Sequence, residues 1–284
     1  MTASLQIQKQ IYNITKDHNI VQPRGLKVKE NLLTDIRFDP TLPFANYQHR
    51  QFNFKYFAGE LAWYLSKDTN INYINKFSNF WQHITNPGTN EINSNYGALL
   101  FGDQLQWVLD SLKADGNTRQ AIALLNQPKF QFKDNKDFVC TMYLNFFIRD
   151  RKLHMKVQMR SNDIFYGLTF DAPFFALIHQ HMYLWLLDTY PLLDLGTYVH
   201  CSDNTHFYNR HFELAENILS ENIDDNIEYN MKLTQPLFHL HNGHMTLTQL
   251  GAKLIAAIDH GVAKDYKIKN YEKILNKYLN VQKI

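Results

Sequence analysis

Apolar residues recur at helical spacing in several stretches of the chain. In 52–66, FNFKYFAGELAWYLS, a single face collects Phe54, Phe57, Leu61 and Tyr64. Through 103–113 the stripe is Leu105, Val108, Leu109 and Leu112. Residues 172–188 are apolar nearly all round, which predicts a largely buried helix. A surface helix is predicted over 246–260, beginning near Thr246 and ending at His260-Gly261.

Between 140 and 160 the period changes to two. In CTMYLNFFIRDRKLHMKVQMR, Cys140, Met142, Leu144, Phe146 and Ile148 alternate along one segment. Leu153, Met155, Val157 and Met159 alternate along a second, with the charged run Arg149–Lys152 between them. That is the pattern of a β-hairpin. A turn centred on 150–151 sets Cys140 opposite Ser161, with Arg160 adjoining. Paired Cα atoms lie roughly 4.5–5.5 Å apart, so a thiol and a guanidinium meet at the open end of the hairpin. Asn- and Asp-rich patches at 68–75, 84–95 and 221–230 read as surface connections. None is long enough for an interdomain linker, and no repeat or low-complexity block appears. Residues 1–284 are expected to form one α/β domain with a sizeable core.

Composition narrows the function classes. The formal net charge of +2 carries no global basic field, so a nucleic-acid partner is not expected. Two cysteines make neither a disulfide framework nor a metal-binding cluster. The segment MTASLQIQKQIYNITKD has no apolar core of a signal peptide. The longest apolar stretch, Ala172–Leu187, is broken by His179, Gln180 and His181, too short and too polar to span a bilayer. The expectation is a cytoplasmic protein with no membrane contact.

Several residues invite chemistry, each with a plainer reading beside it. An Arg beside Cys140 favours its thiolate; equally, Cys140 is a buried strand-end residue with Arg160 turned to solvent. Glu60 sits between Phe57 and Tyr64 on or beside an apolar helix face. There it either moves protons with a raised pKa or pairs with a Lys at the edge. Asp171, just before Ala172-Pro173, is either a helix N-terminus or a substrate-reading carboxylate. His206 and Tyr208, two apart in DNTHFYNRH, share a face if the segment is a strand and would grip one hydroxyl; His206 alone is also an ordinary surface histidine. HLHNGH at 239–244 lacks the HExxH pattern or a carboxylate partner, so no metal is expected. No Gly-rich phosphate loop is present.

Taken together, these residues resemble the thymidylate synthase superfamily, and within it the phage-type deoxycytidylate hydroxymethylases. The likeness runs from about Arg24 to about His211. It is carried by GELAWYL (59–65), NEINSNYG (90–97), DFVCT (137–141), RSNDIFYG (160–167) and THFYNRHF (205–212). It implies an α+β fold with a large mixed sheet, a homodimer with shared active sites, and methylenetetrahydrofolate as one-carbon donor. It implies that Cys140 is the nucleophile toward pyrimidine C6, that Glu60 relays protons, and that Tyr96 lines the same site. Arg24, Arg160 and Ser161 become phosphate ligands, and Arg119 an arginine given across the dimer. His206 and Tyr208 become the sugar-hydroxyl pair, and Trp81 and Asp163 neighbours of the folate.

The chain departs from the family in places. Arg119 is followed by Gln120 where the family usually has a second arginine. Thymidylate synthases usually present Pro-Cys-His, here Val139-Cys140-Thr141. Their C-terminal closing segment is not recognisable in YLNVQKI, and Ile84 stands where a second tryptophan is common. They carry Asn at the position of Asp171, matching uracil's N3–H donor and O4 acceptor. Cytosine offers an N4 donor and an N3 acceptor, which a carboxyl group suits. The resemblance therefore implies a folate-dependent deoxycytidylate 5-hydroxymethylase. The rivals are a methylase of dCMP or dUMP and a non-catalytic nucleotide- or RNA-binding protein on the same scaffold.

Overall fold

The computed structural model describes residues 2–16 and 20–284. Helix α1 (Ala3–Lys16) precedes β1 (Ile20–Val21), β2 (Val28–Phe38) and α2 (Phe54–Ser66). Next come α3 (Tyr96–Leu100), α4 (Asp103–Ala114), β3 (Ile122–Leu124), β4 (Thr141–Arg149) and β5 (Lys152–Met159). They are followed by β6 (Asn162–Asp163), α5 (Thr169–Leu186), β7 (Asp194–Tyr208) and α6 (Phe212–Leu219). The C-terminal part holds β8 (Tyr229–Met231), β9 (Phe238–His241), β10 (His244–Leu247), α7 (Gln249–Ala263), α8 (Ile268–Leu279) and β11 (Val281–Lys283).

A seven-stranded mixed sheet runs β1-β2-β7-β5-β4-β3, with β6 paired to β7 beyond the end of β5. β7 is parallel to β5 and β6 and antiparallel to β2. Parallel neighbours need a crossover, and α5 supplies it. This is the mixed α/β sheet that the motifs implied.

The hairpin forms where the alternation predicts it. Arg149 pairs with Lys152. Asp150 and Arg151 both take left-handed φ, 51° and 58°, the turn geometry that matches strand twist. At the open end the register differs from the predicted one. Tyr143 pairs with Gln158, but Thr141 pairs with Met159, so Met142 is an extra residue in β4. Such a bulge shifts everything beyond it by one position. Cys140 therefore faces Arg160, not Ser161, and Arg160 N donates to Cys140 O at 2.8 Å.

α2 and α5 pack their apolar faces into the core, where Phe44, Phe52, Phe54 and Phe57 form a nest of tilted and edge-on rings. Burying each such side chain contributes roughly 1.5–3 kcal/mol. The polar residues that interrupt α5 are buried and bonded to backbone. His179 Nε2 meets Leu153 O at 2.7 Å, and Gln180 Nε2 donates to Pro40 O and Met231 O. His181 Nδ1 donates to Leu177 O, leaving Nε2 to accept from Leu237 N at 2.9 Å. These bonds tie distant loops to α5. Among the described residues no helix is long and apolar enough to cross a membrane.

Helix α7 begins at Gln249, later than the predicted Thr246, because Thr246 and Leu247 belong to β10 and pair with β9. The cap is Thr248, whose hydroxyl accepts from Gly251 N at 3.1 Å. The HLHNGH histidines thus lie on a hairpin that turns at Asn242-Gly243.

Candidate functional site

One cleft of about 1560 Å³ opens between the end of the β5–β7 region, helix α2, the 77–84 segment and the start of α5. Glu60, Trp81, Tyr96, Cys140, Arg160, Ser161, Asp163, Asp171, His206, Tyr208 and Arg24 all line it. Arg119 does not. It is exposed, in the turn after α4. Ile84 lines the cleft, and of the residues beyond α6 only Ile268 does. Among the described residues no three His, Cys, Asp or Glu side chains converge as a metal would need.

Cys140 precedes β4 at the bulge. Arg160 Nη2 lies 3.4 Å from its Sγ. The same guanidinium donates to Val139 O at 3.2 Å and to Phe138 O, and stacks on the Phe138 ring. Burial pushes the thiol up to about 11; Arg160 pulls it down, while Asp171 and Asp137 oppose ionisation. The thiol is thus neutral at pH 7, and neutralising Asp171 would ease its ionisation. Asp137 also locks the neighbouring loop, accepting from Asn93 N at 2.6 Å, Ser94 N at 2.7 Å and the Ser94 hydroxyl. That anchors α3, whose Tyr96 stacks on Tyr64 of α2 with ring centroids 5.4 Å apart. α3 approaches α2 so closely that a Cβ on Gly97 would overlap the Tyr64 carbonyl, a use of glycine for backbone contact.

Glu60 lies on the buried face of α2, 7% exposed. Tyr56 OH donates to Glu60 Oε1 at 2.8 Å, and Trp81 Nε1 donates to Tyr56 OH at 3.2 Å. The lysine pairing open in the sequence is not made; a tyrosine takes that place. Burial, then the charge of Asp171, raises Glu60 from 4.5 to about 8; the hydrogen bonds from Tyr56 and Tyr64 only moderate the rise. At neutral pH Glu60 holds its proton.

This has a consequence for stability. A carboxyl group raised in the folded state leaves stability whole below its unfolded value and removes it as pH rises through the folded value. For Glu60 the window is 4.5 to about 8. Glu60→Gln escapes that loss. Its stability relative to wild type is expected to rise on the order of 4 kcal/mol from pH 4.5 to pH 9. Urea unfolding of both proteins across that range measures it; a pH-independent difference would show that Glu60 ionises normally.

Asp171 lies in the first turn of α5 and does not cap it. The capping bonds come earlier: Asp163 Oδ1 accepts from Phe165 N at 2.7 Å and Tyr166 N at 2.6 Å, starting a wide turn over Ile164–Leu168 that leads into α5. Asp171 Oδ2 instead accepts from Asn162 Nδ2 at 2.7 Å. Burial raises the carboxyl from 3.8 to about 6, and the Asn162 bond holds it down. The N-terminal reading of Asp171 is therefore set aside, since Asp163 makes those bonds with a free oxygen to spare. Asp163 Oδ2 is buried with no hydrogen-bond partner.

His206 and Tyr208 lie two apart on β7 and share a face, with ring centroids 5.4 Å apart. Asn204 Nδ2 donates to Glu30 Oε2 at 2.6 Å, so its Oδ1 faces His206 Nδ1 at 2.9 Å. An amide oxygen only accepts, so Nδ1 must donate. Neutral His206 then presents Nε2 as an acceptor to a hydroxyl. Burial lowers its pKa against the pull of Asp163. Arg210 lies over both Tyr208 and Tyr166 at the mouth.

Sequence reasoning did not single out Tyr56, Arg50 and Asn162. Arg50 donates to Phe165 O at 2.5 Å and faces Asp163. Tyr56 falls one turn before Glu60, a spacing from which it could have been found. Arg50 and Asn162 give no such periodic signal, since their partners lie far along the chain or across strands.

Residues 6–274 match the family model described as thymidylate synthase. A deoxyuridylate hydroxymethyltransferase of Bacillus phage SP01 is 28% identical over 214 residues, which are 69% of this chain and 54% of that protein. A deoxycytidylate 5-hydroxymethyltransferase of Enterobacteria phage T4 is 30% identical over 175 residues, which are 58% of this chain and 71% of that protein. The matched region thus spans about half of the SP01 relative.

Proposed function

Because this chain belongs to the thymidylate synthase family, we propose that it transfers a one-carbon unit to C5 of deoxycytidylate and releases a hydroxymethylated base. The observation that carries the reading is Asp171, a carboxyl group held by Asn162 in the same cleft as Cys140 and Glu60. With a proton, one oxygen donates to cytosine N3 while the carboxyl accepts from N4. Uracil, with N3–H and O4, lacks the N4 donor and the free N3 acceptor that this arrangement needs.

Arg160, Ser161 and Arg24 hold the phosphate by charge-assisted hydrogen bonds and set the ring over the thiol. His206 Nε2 and Tyr208 grip the sugar hydroxyl. Cys140 loses its proton to water in the cleft as Sγ bonds to C6, the ring electrons move toward C5, and a proton from Asp171 to N3 makes that shift easier. C5 becomes nucleophilic. Glu60, protonated at neutral pH, has a proton to give; once given, the carboxylate takes one from the water that completes the product. The C5 hydrogen leaves as a proton to water, N3 returns its proton to Asp171, and loss of the Cys140 thiolate from C6 restores the aromatic ring.

The cleft also fits a folate. A pterin ring offers N–H donors, and the unpaired buried Oδ2 of Asp163 is an acceptor awaiting one. Trp81 and Arg50 would flank the same molecule. Methylenetetrahydrofolate, when bound, supplies the carbon at the oxidation level of formaldehyde.

A hydroxymethyl product requires water at the reacting carbon, and a methyl product requires its exclusion. Ile84 at the cleft wall and the sparse lining from residues beyond α6 favour water entry, and the phage relatives, both named hydroxymethyltransferases, support the same product. Arg119, exposed and away from its own cleft, is assigned to the phosphate of a second copy in a homodimer. Purified protein incubated with methylenetetrahydrofolate and dCMP, CMP or dUMP tests these assignments together. The expected products are tetrahydrofolate and a cytosine nucleotide carrying CH₂OH, formed by a sedimenting dimer. Dihydrofolate with a methylated nucleotide establishes the methylase instead. Nucleotide binding without turnover establishes a non-catalytic binder, and a fully active monomer removes Arg119 from the site.

A further inference from the structure

A row of buried side chains stands behind Asp171. Tyr198 OH lies 2.7 Å from His200 Nδ1, His200 Nε2 lies 3.2 Å from Asn162 Oδ1, and Asn162 Nδ2 donates to Asp171 Oδ2 at 2.7 Å. Tyr198, His200 and Asn162 are each at most 3% exposed. Tyr198 and His200 share one face of β7, and Phe38 packs against both rings. Neither Tyr198 nor His200 has a part in the chemistry above.

With Asp171 ionised, the donors in this row run only one way. An ionised carboxylate accepts, so Asn162 must turn its NH₂ toward Asp171. Its Oδ1 then faces His200 and can only accept, so His200 Nε2 must carry a proton. Burial lowers the His200 pKa to about 3, so the ring is neutral and Nδ1 carries none. Tyr198 must therefore donate to Nδ1.

We propose that Tyr198 and His200 are positioning residues for base recognition: through Asn162 they keep Asp171 Oδ2 occupied as an acceptor, so that its proton, when present, sits on Oδ1 and faces the base. The inference rests on the cytosine reading for its consequence and on the hydrogen-bond row for its geometry. If the Asn162 amide were reversed, its oxygen would demand the Asp171 proton for itself. The outward oxygen would then accept only, matching cytosine N4 but leaving N3 without a donor. An amide held by one bond can turn over freely; turning this one flips His200 to its Nδ1–H tautomer and leaves the buried Tyr198 hydroxyl proton without an acceptor in the row.

Other groups also face Asp171 and set its ionisation: Glu60, Tyr56 and Tyr64 from α2, Tyr96 from α3, Cys140 before β4, and Tyr198 itself. Of these only Tyr198 belongs to the row that holds the Asn162 amide, so the test must isolate the row.

Tyr198→Phe removes one oxygen and keeps the ring. Histidine ¹⁵N and aspartate ¹³C spectra of the whole protein, with His200→Gln and Asp171→Asn used for assignment, read both ends of the row. In wild type His200 is expected as the Nε2–H tautomer. In Tyr198→Phe the tautomers mix, the Asn162 amide loosens, and the Asp171 midpoint rises because the bond that lowers it weakens. The dCMP over dUMP ratio of kcat/KM is expected to fall about tenfold, the effect of one buried hydrogen bond. Gly167→Ala is the independent variant: its Cβ would sit 2.8 Å from Asn162 Nδ2 and 3.3 Å from Asp171 Oδ2, displacing the same bond from the other side. It should raise the Asp171 midpoint with the His200 tautomer unchanged. An Nδ1–H tautomer in wild type, or an unmoved Asp171 midpoint in both variants, overturns the proposal. The spectra need no substrate, so a wild type that turns over no cytosine nucleotide sinks the functional reading alone.

Discussion

Cys140→Ser is expected to lower turnover by at least about 10⁴-fold, the scale of losing a nucleophile, with nucleotide affinity kept within a few-fold. Arg160 sets both halves of that outcome. Its guanidinium is fixed by Val139 O and Phe138 O as well as by Sγ, so it stays in place for phosphate when the sulfur is gone. Serine fills nearly the same space, but its hydroxyl ionises far less readily than a thiol and is the weaker nucleophile toward C6. Calorimetry gives the affinity, and denaturing mass spectrometry gives the adduct. Wild type trapped during turnover should carry the mass of the nucleotide, and the variant should not. Turnover of Cys140→Ser within a few-fold of wild type would remove the thiol from the mechanism. Loss of binding along with turnover would make Cys140 a structural residue of the bulge.

The second large effect is a change of base. Asp171→Asn is expected to lower the dCMP over dUMP ratio of kcat/KM by about 10²–10⁴-fold, since two buried pairings reverse together. Asn162 decides how the new amide lies. The Asn162 NH₂ points at position 171, so the oxygen of the introduced amide takes the place of Oδ2 and its NH₂ turns outward. An outward NH₂ donates to uracil O4, and the same amide's oxygen can accept from N3–H. Cytosine then meets a donor at N4, which also donates. The steady-state ratio for both nucleotides in both proteins measures the change. An unchanged ratio would mean that Asp171 does not touch the base. A collapse with both nucleotides would mean that the carboxyl is needed for chemistry as well as recognition.

Much of the scaffold is legible in the sequence. The stripes of α2, α4 and α5 and the alternation of β4 and β5 are local patterns, and burying an apolar face settles such elements one at a time. The side chains of the cleft were legible in part, because GELAWYL, DFVCT and RSNDIFYG carry chemistry-bearing residues at short range. The sequence by itself determined the hairpin and its turn, the helices that flank the cleft, and the presence of Cys140 and Glu60 in motifs of one family, with Asp171 shortly after RSNDIFYG. Only the tertiary structure decided which residue meets which. A bulge at Met142 set Arg160, not Ser161, opposite Cys140. Asp163 took the capping bonds and freed Asp171 for Asn162. Tyr56, not a lysine, met Glu60. His200 reached Asn162 across 38 positions of chain, and Arg119 stayed outside its own cleft. Periodicity reports which face of an element is buried. It says nothing of the partner across the gap, because hydrogen bonds between distant segments depend on strand register and packing that no single segment contains.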